Sequence, residues 1–242
     1  MKAFFALLIA VCTMATSVAV AREPVRLLVF TKTTGFRHDS IPVAVDTVRA
    51  LARQAGWQVD HDEDARVFTR ERLARYHVVV FANTTGDVLD DAQQAALREY
   101  VEHGGGFVGI HSAADTEYDW PWYETLVGAW FLSHPPGLQA TQLTFAADGI
   151  APDGRHWQVT DELYNYRRNP RSRVRVVATV DESGYAGGSM GADHPIAWCH
   201  EAGKGRSWYT GLGHRIDLYA DATFRRHLLR GLRYAAGESE DC

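Results

Sequence analysis

The first half of the chain is built from short continuous apolar runs separated by helically spaced segments. Val25 to Thr31 and His77 to Ala82 are rich in β-branched residues and lack polar alternation, the pattern of strands buried on both faces. Ile41 to Ala55 has helical spacing, with Pro42 in its first turn and Gly56 as a stop. Trp57 to Asp60 predicts a second strand. Thr69 predicts the cap of a short helix, and Asp90 or Asp91 opens another that runs to about His103. Gly104, Gly105 and Gly106 then lead into the strand Phe107 to Ile110. Strands alternating with helices predict βαβ units and an α/β fold with a parallel sheet.

The second half is less regular. Trp120 to Val127 predicts a helix, Gln139 to Phe145 a strand, and Gly149 to Thr160 a loop region around a short apolar run. Val174 to Val180, Ile196 to His200 and Arg206 to Thr210 predict strands, the last two joined by a hairpin-like Glu201 to Gly205 connection. Phe224 to Ala235 is an amphipathic helix with arginines on its polar side.

Candidate chemistry sits where these strands end. His111 closes the Phe107 to Ile110 strand and is followed by Ser112, Ala113 and Ala114. Open α/β sheets bind ligands beyond the carboxyl ends of their strands, and small residues permit a sharp turn that displays the side chain. An imidazole there points to acid–base chemistry, metal binding or polar recognition more than to an acyl-enzyme. His38 follows the first strand, with Arg37 or Asp39 placed to orient it. His214 follows the last strand through Gly211 and Gly213. His134 lies in a loop stiffened by Pro135 and Pro136. Glu162, beside Tyr164 and Tyr166, is expected to have a raised pKa and to serve as a general acid. Tyr118, Tyr164 and Trp198 offer aromatic faces suited to the C–H faces of sugars. The P-loop, G-x-S-x-G and H-E-x-x-H signatures are missing.

The amino terminus reads as a targeting segment. Lys2, an apolar run from Ala3 to Cys12 and Ala19-Val20-Ala21 form a signal peptide over residues 1–21, with cleavage before Arg22. A periplasmic or secreted location is expected, with one domain over residues 22–242. The net charge of −5 and the lack of basic runs argue against a nucleic-acid partner. Cys199 and Cys242 remain after cleavage; they could pair in an oxidising compartment, the sequence does not fix whether their Cα atoms are close enough, and no essential disulfide is expected.

Several segments in order resemble one family. Gly35-Phe36-Arg37-His38, Gly104 to Ser112, Trp122-Tyr123, His134-Pro135, Asp161-Glu162-Leu163-Tyr164, His194 to Trp198 and Gly211-Leu212-Gly213-His214 together resemble the ThuA-like (trehalose utilisation) family. The resemblance spans Val25 to Ala236. It implies an architecture similar to class I glutamine amidotransferases, a flavodoxin-like three-layer sandwich with a mostly parallel sheet. His111 stands where an amidotransferase has its elbow cysteine, so glutaminase chemistry is not expected. Many relatives carry a further His-Pro where this chain has Ala147 to Pro152.

The resemblance implies a carbohydrate setting, beside oxidoreductases that make 3-keto sugars. The leading expectation is an enzyme that acts on a sugar or a 3-keto glycoside by hydrolysis or elimination. Its catalytic set would be His38, His111, His134, Glu162 and His214, with Arg37, Tyr118, Tyr164 and Trp198 binding substrate. A divalent metal such as zinc suits these donors, although their spacing is no local signature. The alternatives are a non-catalytic carbohydrate-binding protein and an interaction module partnered with a sugar oxidoreductase.

Overall fold

The structure is a computed structural model that describes residues 23–242. The expected signal peptide, residues 1–21, lies outside the described residues. No helix among those described is long and apolar enough to cross a membrane.

The chain opens as a doubly wound α/β unit. It runs β1 (Arg26–Phe30), α1 (Ile41–Ala55), β2 (Gln58–Asp62), α2 (Arg70–Leu73), β3 (Val78–Ala82), α3 (Asp91–Glu102) and β4 (Gly106–Ile110). Then come α4 (Pro121–Val127), β5 (Phe131–Ser133), β6 (Gln139–Phe145), β7 (His156–Asp161) and β8 (Asn165–Tyr166). β9 (Arg175–Val180), β10 (His194–Ala202), β11 (Gly205–Thr210) and α5 (Ala222–Ala235) complete it.

Local chemistry sets these limits. Pro42 occupies the first turn of α1, and Gly56 closes it with a left-handed φ of 75°. The Asp90 side chain caps α3 by accepting from the Gln93 N–H, while the Gln93 side chain accepts from the Asp90 N–H. Thr69 caps α2.

Nine strands form one sheet in the order β2-β1-β3-β4-β11-β10-β9-β6-β7. The first five run parallel. From β11 onward each pairing is antiparallel. β3 and β4 are buried throughout, as their unbroken apolar sequences require. β11, last in sequence, lies inside the sheet between β4 and β10.

Side chains on β4 alternate between the two helical layers. Phe107 meets Tyr123 of α4 edge to face, while a Cβ on Gly106 would fall 2.2 Å from the Ala235 carbonyl oxygen of α5. Glycine is what lets α5 approach there. The result is the flavodoxin-like sandwich, with its switch point at β1 and β3. There the chain winds first to one side of β1 and then to the other.

Two expectations need correction. Residues 156–161 form an edge strand rather than a loop, because His-Trp-Gln-Val-Thr-Asp alternates exposed and buried positions along β6. Trp198 lies fully buried in β10, where its Nε1–H donates to the Val127 carbonyl at 2.7 Å, so it belongs to the core and not to a binding surface. The pairing that the sequence left open is formed: Cys199 and Cys242 are bridged, with Cα atoms 6.3 Å apart, as the carboxyl-terminal segment folds back beside β10.

Candidate functional site

The switch point gathers residues from four loops. His38 follows β1, His111 follows β4, Glu162 follows β7 and His214 follows β11. One nitrogen or carboxylate oxygen from each lies within 4.8 Å of every other. The imidazole centroids are 4.8 Å apart for His38 and His111, 5.3 Å for His38 and His214, and 5.4 Å for His111 and His214.

His111 is held in an unusual backbone conformation. Its φ is 50°, left-handed for a residue with a Cβ, and it opens a short 3₁₀ turn over His111–Asp115. Its Nδ1–H donates to the Gly211 carbonyl at 2.8 Å, and its own carbonyl accepts from the Tyr209 hydroxyl at 2.8 Å. A carbonyl only accepts, so in the neutral ring the proton sits on Nδ1 and Nε2 carries a lone pair. That Nε2 is buried without a hydrogen-bond partner, 3.3 Å from Glu162 Oε2. His214 Nδ1 is likewise buried and orphaned, also 3.3 Å from Glu162 Oε2.

Burial pushes the His38 imidazole down to about 3, with the neighbouring His111 and His214 adding to the effect. His38 is therefore a neutral donor near pH 7. Its Nδ1 lies 3.3 Å from the Ser112 hydroxyl, so Ser112 orients it, and not Arg37 or Asp39. Glu162 overturns its own expectation. Burial works against the charge, but His111 and His214 outweigh it and hold the carboxyl well below its ordinary range. It is a carboxylate, not a general acid. The same carboxylate raises His214 above its usual value. His134 stands apart from the other three imidazoles. It is exposed, with Nδ1 2.8 Å from the Pro135 carbonyl and 3.3 Å from Glu162 Oε1.

The remaining sequence candidates divide. Tyr164 is buried with its ring 4.3 Å from that of His111, forming a wall of the cluster. The Tyr118 hydroxyl donates to Asp115 at 2.6 Å and lies 3.2 Å from the Phe131 carbonyl oxygen, bracing the segment before His134. Arg37 turns away and pairs with Glu63 at 2.7 Å, because that carboxylate at the end of β2 is its nearest opposite charge.

Sequence reasoning missed the groups that fix His214. Buried Asp161 accepts from the Gly213 N–H at 2.7 Å and from the Arg215 N–H at 3.0 Å, clamping the chain on both sides of the histidine. The Gly213 carbonyl accepts from Ser40, Asn83 and Tyr219. Gly213 has a φ of 127°, and a Cβ there would fall 2.7 Å from the Tyr219 hydroxyl oxygen. Only Asp161 had a sequence signal, as part of the Asp161 to Tyr164 motif.

Three imidazoles and a carboxylate at one switch point define a protein with a preorganised polar centre on a flavodoxin-like scaffold. The chain belongs to the ThuA family, described as trehalose utilisation, which it matches over residues 26–235. A ThuA-like protein of Bacteroides uniformis is similar at 21% identity and a TM-score of 0.74, over 94% of this chain and 97% of that one. One from Parabacteroides merdae is similar at 21% identity and 0.69, over 90% and 91%. A β-galactosidase of Bacillus circulans sp. alkalophilus shares the fold at 16% identity and 0.55, over 88% of this chain but 31% of that one. No curated protein matches the sequence.

Proposed function

We propose that this chain is a metal-assisted enzyme of carbohydrate breakdown that cleaves a sugar or a 3-keto glycoside by hydrolysis or elimination. The observation that carries the reading is the convergence of His38, His111, His214 and Glu162 within 4.8 Å, with His111 Nε2 and His214 Nδ1 both buried beside Glu162 and without a hydrogen-bond partner. A cation among them would satisfy all of these atoms at once. His38, His111, His214 and Glu162 Oε2 would hold a divalent ion such as zinc. When bound, such an ion polarises a substrate oxygen and acidifies a bound water.

The chain's own groups supply the rest. The Gly211 carbonyl fixes the His111 tautomer, as second-sphere acceptors do for metal-ligating imidazoles. Glu162 Oε1 lies beside His134, so this pair can take a proton from the substrate and return it to a leaving oxygen. The carbohydrate setting rests on the family's description.

Export to the periplasm or beyond is part of the same proposal. It is supported by the Lys2 to Ala21 pattern and by a disulfide, which persists in oxidising compartments. Intact mass of protein from the envelope fraction should give Arg22 as its first residue.

Elemental analysis of the purified protein, followed by a 3-keto-glycoside turnover screen with and without chelator, tests the activity. Near one equivalent of a divalent ion and chelator-sensitive turnover are expected. Metal-free protein with full turnover would defeat the metal reading. A purely binding role would show affinity for the sugar and no product.

A further inference from the structure

Large hydrophobic side chains left exposed on this protein are not scattered. Among the described residues they are Phe36, Leu132, Leu138 and Ile216, at 66%, 56%, 46% and 54% exposure. Each lies two to four residues from a histidine of the site: Phe36 from His38, Leu132 and Leu138 from His134, Ile216 from His214. Phe36, Leu138 and Ile216 line a single recess of about 340 Å³ whose walls also include Glu162 and His214. The Phe36 ring stands edge-on to His38 at 4.9 Å. Of the charged groups on this rim, Arg215 pairs with Asp217, and Asp39 lies at its edge. An apolar collar therefore surrounds a polar centre.

We infer that this collar is the subsite for an apolar aglycone, so that the preferred substrate class is an alkyl or aryl glycoside. The inference rests on the reading above that the centre takes a sugar. Exposed apolar surface concentrated at a recess marks a place where water is displaced by a ligand. A molecule that presents its reacting oxygen to Glu162 and His214 can extend from the centre along Phe36, Leu138 and Ile216. A fully polar second sugar would bury part of its hydroxyls against Phe36, Leu138 and Ile216, which cannot hydrogen-bond, whereas a phenyl or alkyl group would bury apolar area against all three. Recess and centre are continuous, so one molecule occupies both.

Calorimetric titration of the full chain with methyl and phenyl glucosides, in both anomeric forms, tests this. Phenyl glucoside should bind about tenfold more tightly than methyl glucoside, the order expected from burying a ring against aliphatic side chains. In the Leu138→Ser/Ile216→Ser double variant the ratio should fall toward one. Both positions are exposed, so the melting temperature should hold. Equal affinities in the wild type, a preference that survives the double variant, or no binding of either glucoside would overturn the inference. So would phenol binding as tightly as its glucoside. Self-association in sedimentation that the double variant abolishes would also overturn it, by assigning the collar to a second copy of the chain. A phenyl preference retained by protein that holds no metal and turns nothing over would support the aglycone subsite while sinking the metal-enzyme reading. Turnover without any such preference would do the reverse.

Discussion

At the scale of single residues, the site depends on which atom of each side chain is already committed. His111 spends Nδ1–H on the Gly211 carbonyl, leaving Nε2 as a donor to a cation. We predict that His111→Ala retains near-native circular dichroism, loses the bound metal, and lowers turnover by about 10²–10⁴. Unchanged metal content and rate would show the centre to be misassigned. Asp161 acts at one remove. Asp161→Asn leaves one of two backbone N–H groups facing an amide NH₂. It should cost about 1–3 kcal/mol in urea unfolding and weaken metal affinity by about tenfold, because the His214 loop loses its clamp. The histidines were legible because each follows a strand that the apolar pattern already marks. Their supports were not, because Ser40, Asn83 and Tyr219 meet Gly213 only after the chain has folded, from up to 173 residues away. Trp198 misled for a related reason. Sequence does not distinguish an indole that stacks on a sugar from one that fills a core.

At the scale of elements, the parallel half follows closely from local signals. Capping residues set the limits of α1, α2 and α3, and unbroken apolar runs specify β1, β3 and β4. Replacing Asp90 by Ala removes the reciprocal cap of α3 and should cost about 1 kcal/mol by chemical denaturation, with activity unchanged. A loss of activity would show that α3 is coupled to the centre. The antiparallel half was harder to read. β7 carries polar residues at alternate positions and follows the glycine- and aspartate-bearing turn at residues 148–154, so its apolar content resembles a loop until it pairs with β6. The strand matters to the candidate site, because it delivers Asp161 and Glu162.

The whole molecule responds to pH and to redox conditions through features that act at a distance. Glu162 raises the pKa of His214, so in the metal-free protein this contact stabilises the fold below the ordinary histidine value of about 6.5 and fades as pH climbs through the raised value. An incoming ion must displace that proton. Metal affinity should therefore strengthen as pH rises above about 6.5, and zinc titrations at pH 6 and 8 measure it. Weaker binding at pH 8 would contradict the assignment of His214 as a ligand. The Cys199–Cys242 bridge closes a separation of 43 residues, which in the chain-entropy account contributes about 4 kcal/mol. Reduction, or Cys199→Ser, should lower the melting temperature and leave turnover intact, since Cys199 lies alongside Trp208 and away from the loop that bears His214. Lost turnover in folded Cys199→Ser protein would instead favour a thiol mechanism.

The placement of β11 bears on the order in which the molecule comes into being. It is last among the strands to be synthesised, yet it occupies an interior position between β4 and β10. A growing chain that has not yet delivered Gly205–Thr210 carries β4 with one edge unpaired, a row of free N–H and C=O groups open to another chain. Nearly the whole polypeptide must therefore be available before the sheet can close. A chain that crosses a membrane unfolded meets this requirement only on the far side, where it needs protection from aggregation until the segment from Gly205 onward arrives. His214 comes with that same late segment. On the metal and export readings proposed above, the ion the centre acquires would be the one available where folding finishes, rather than where translation occurs.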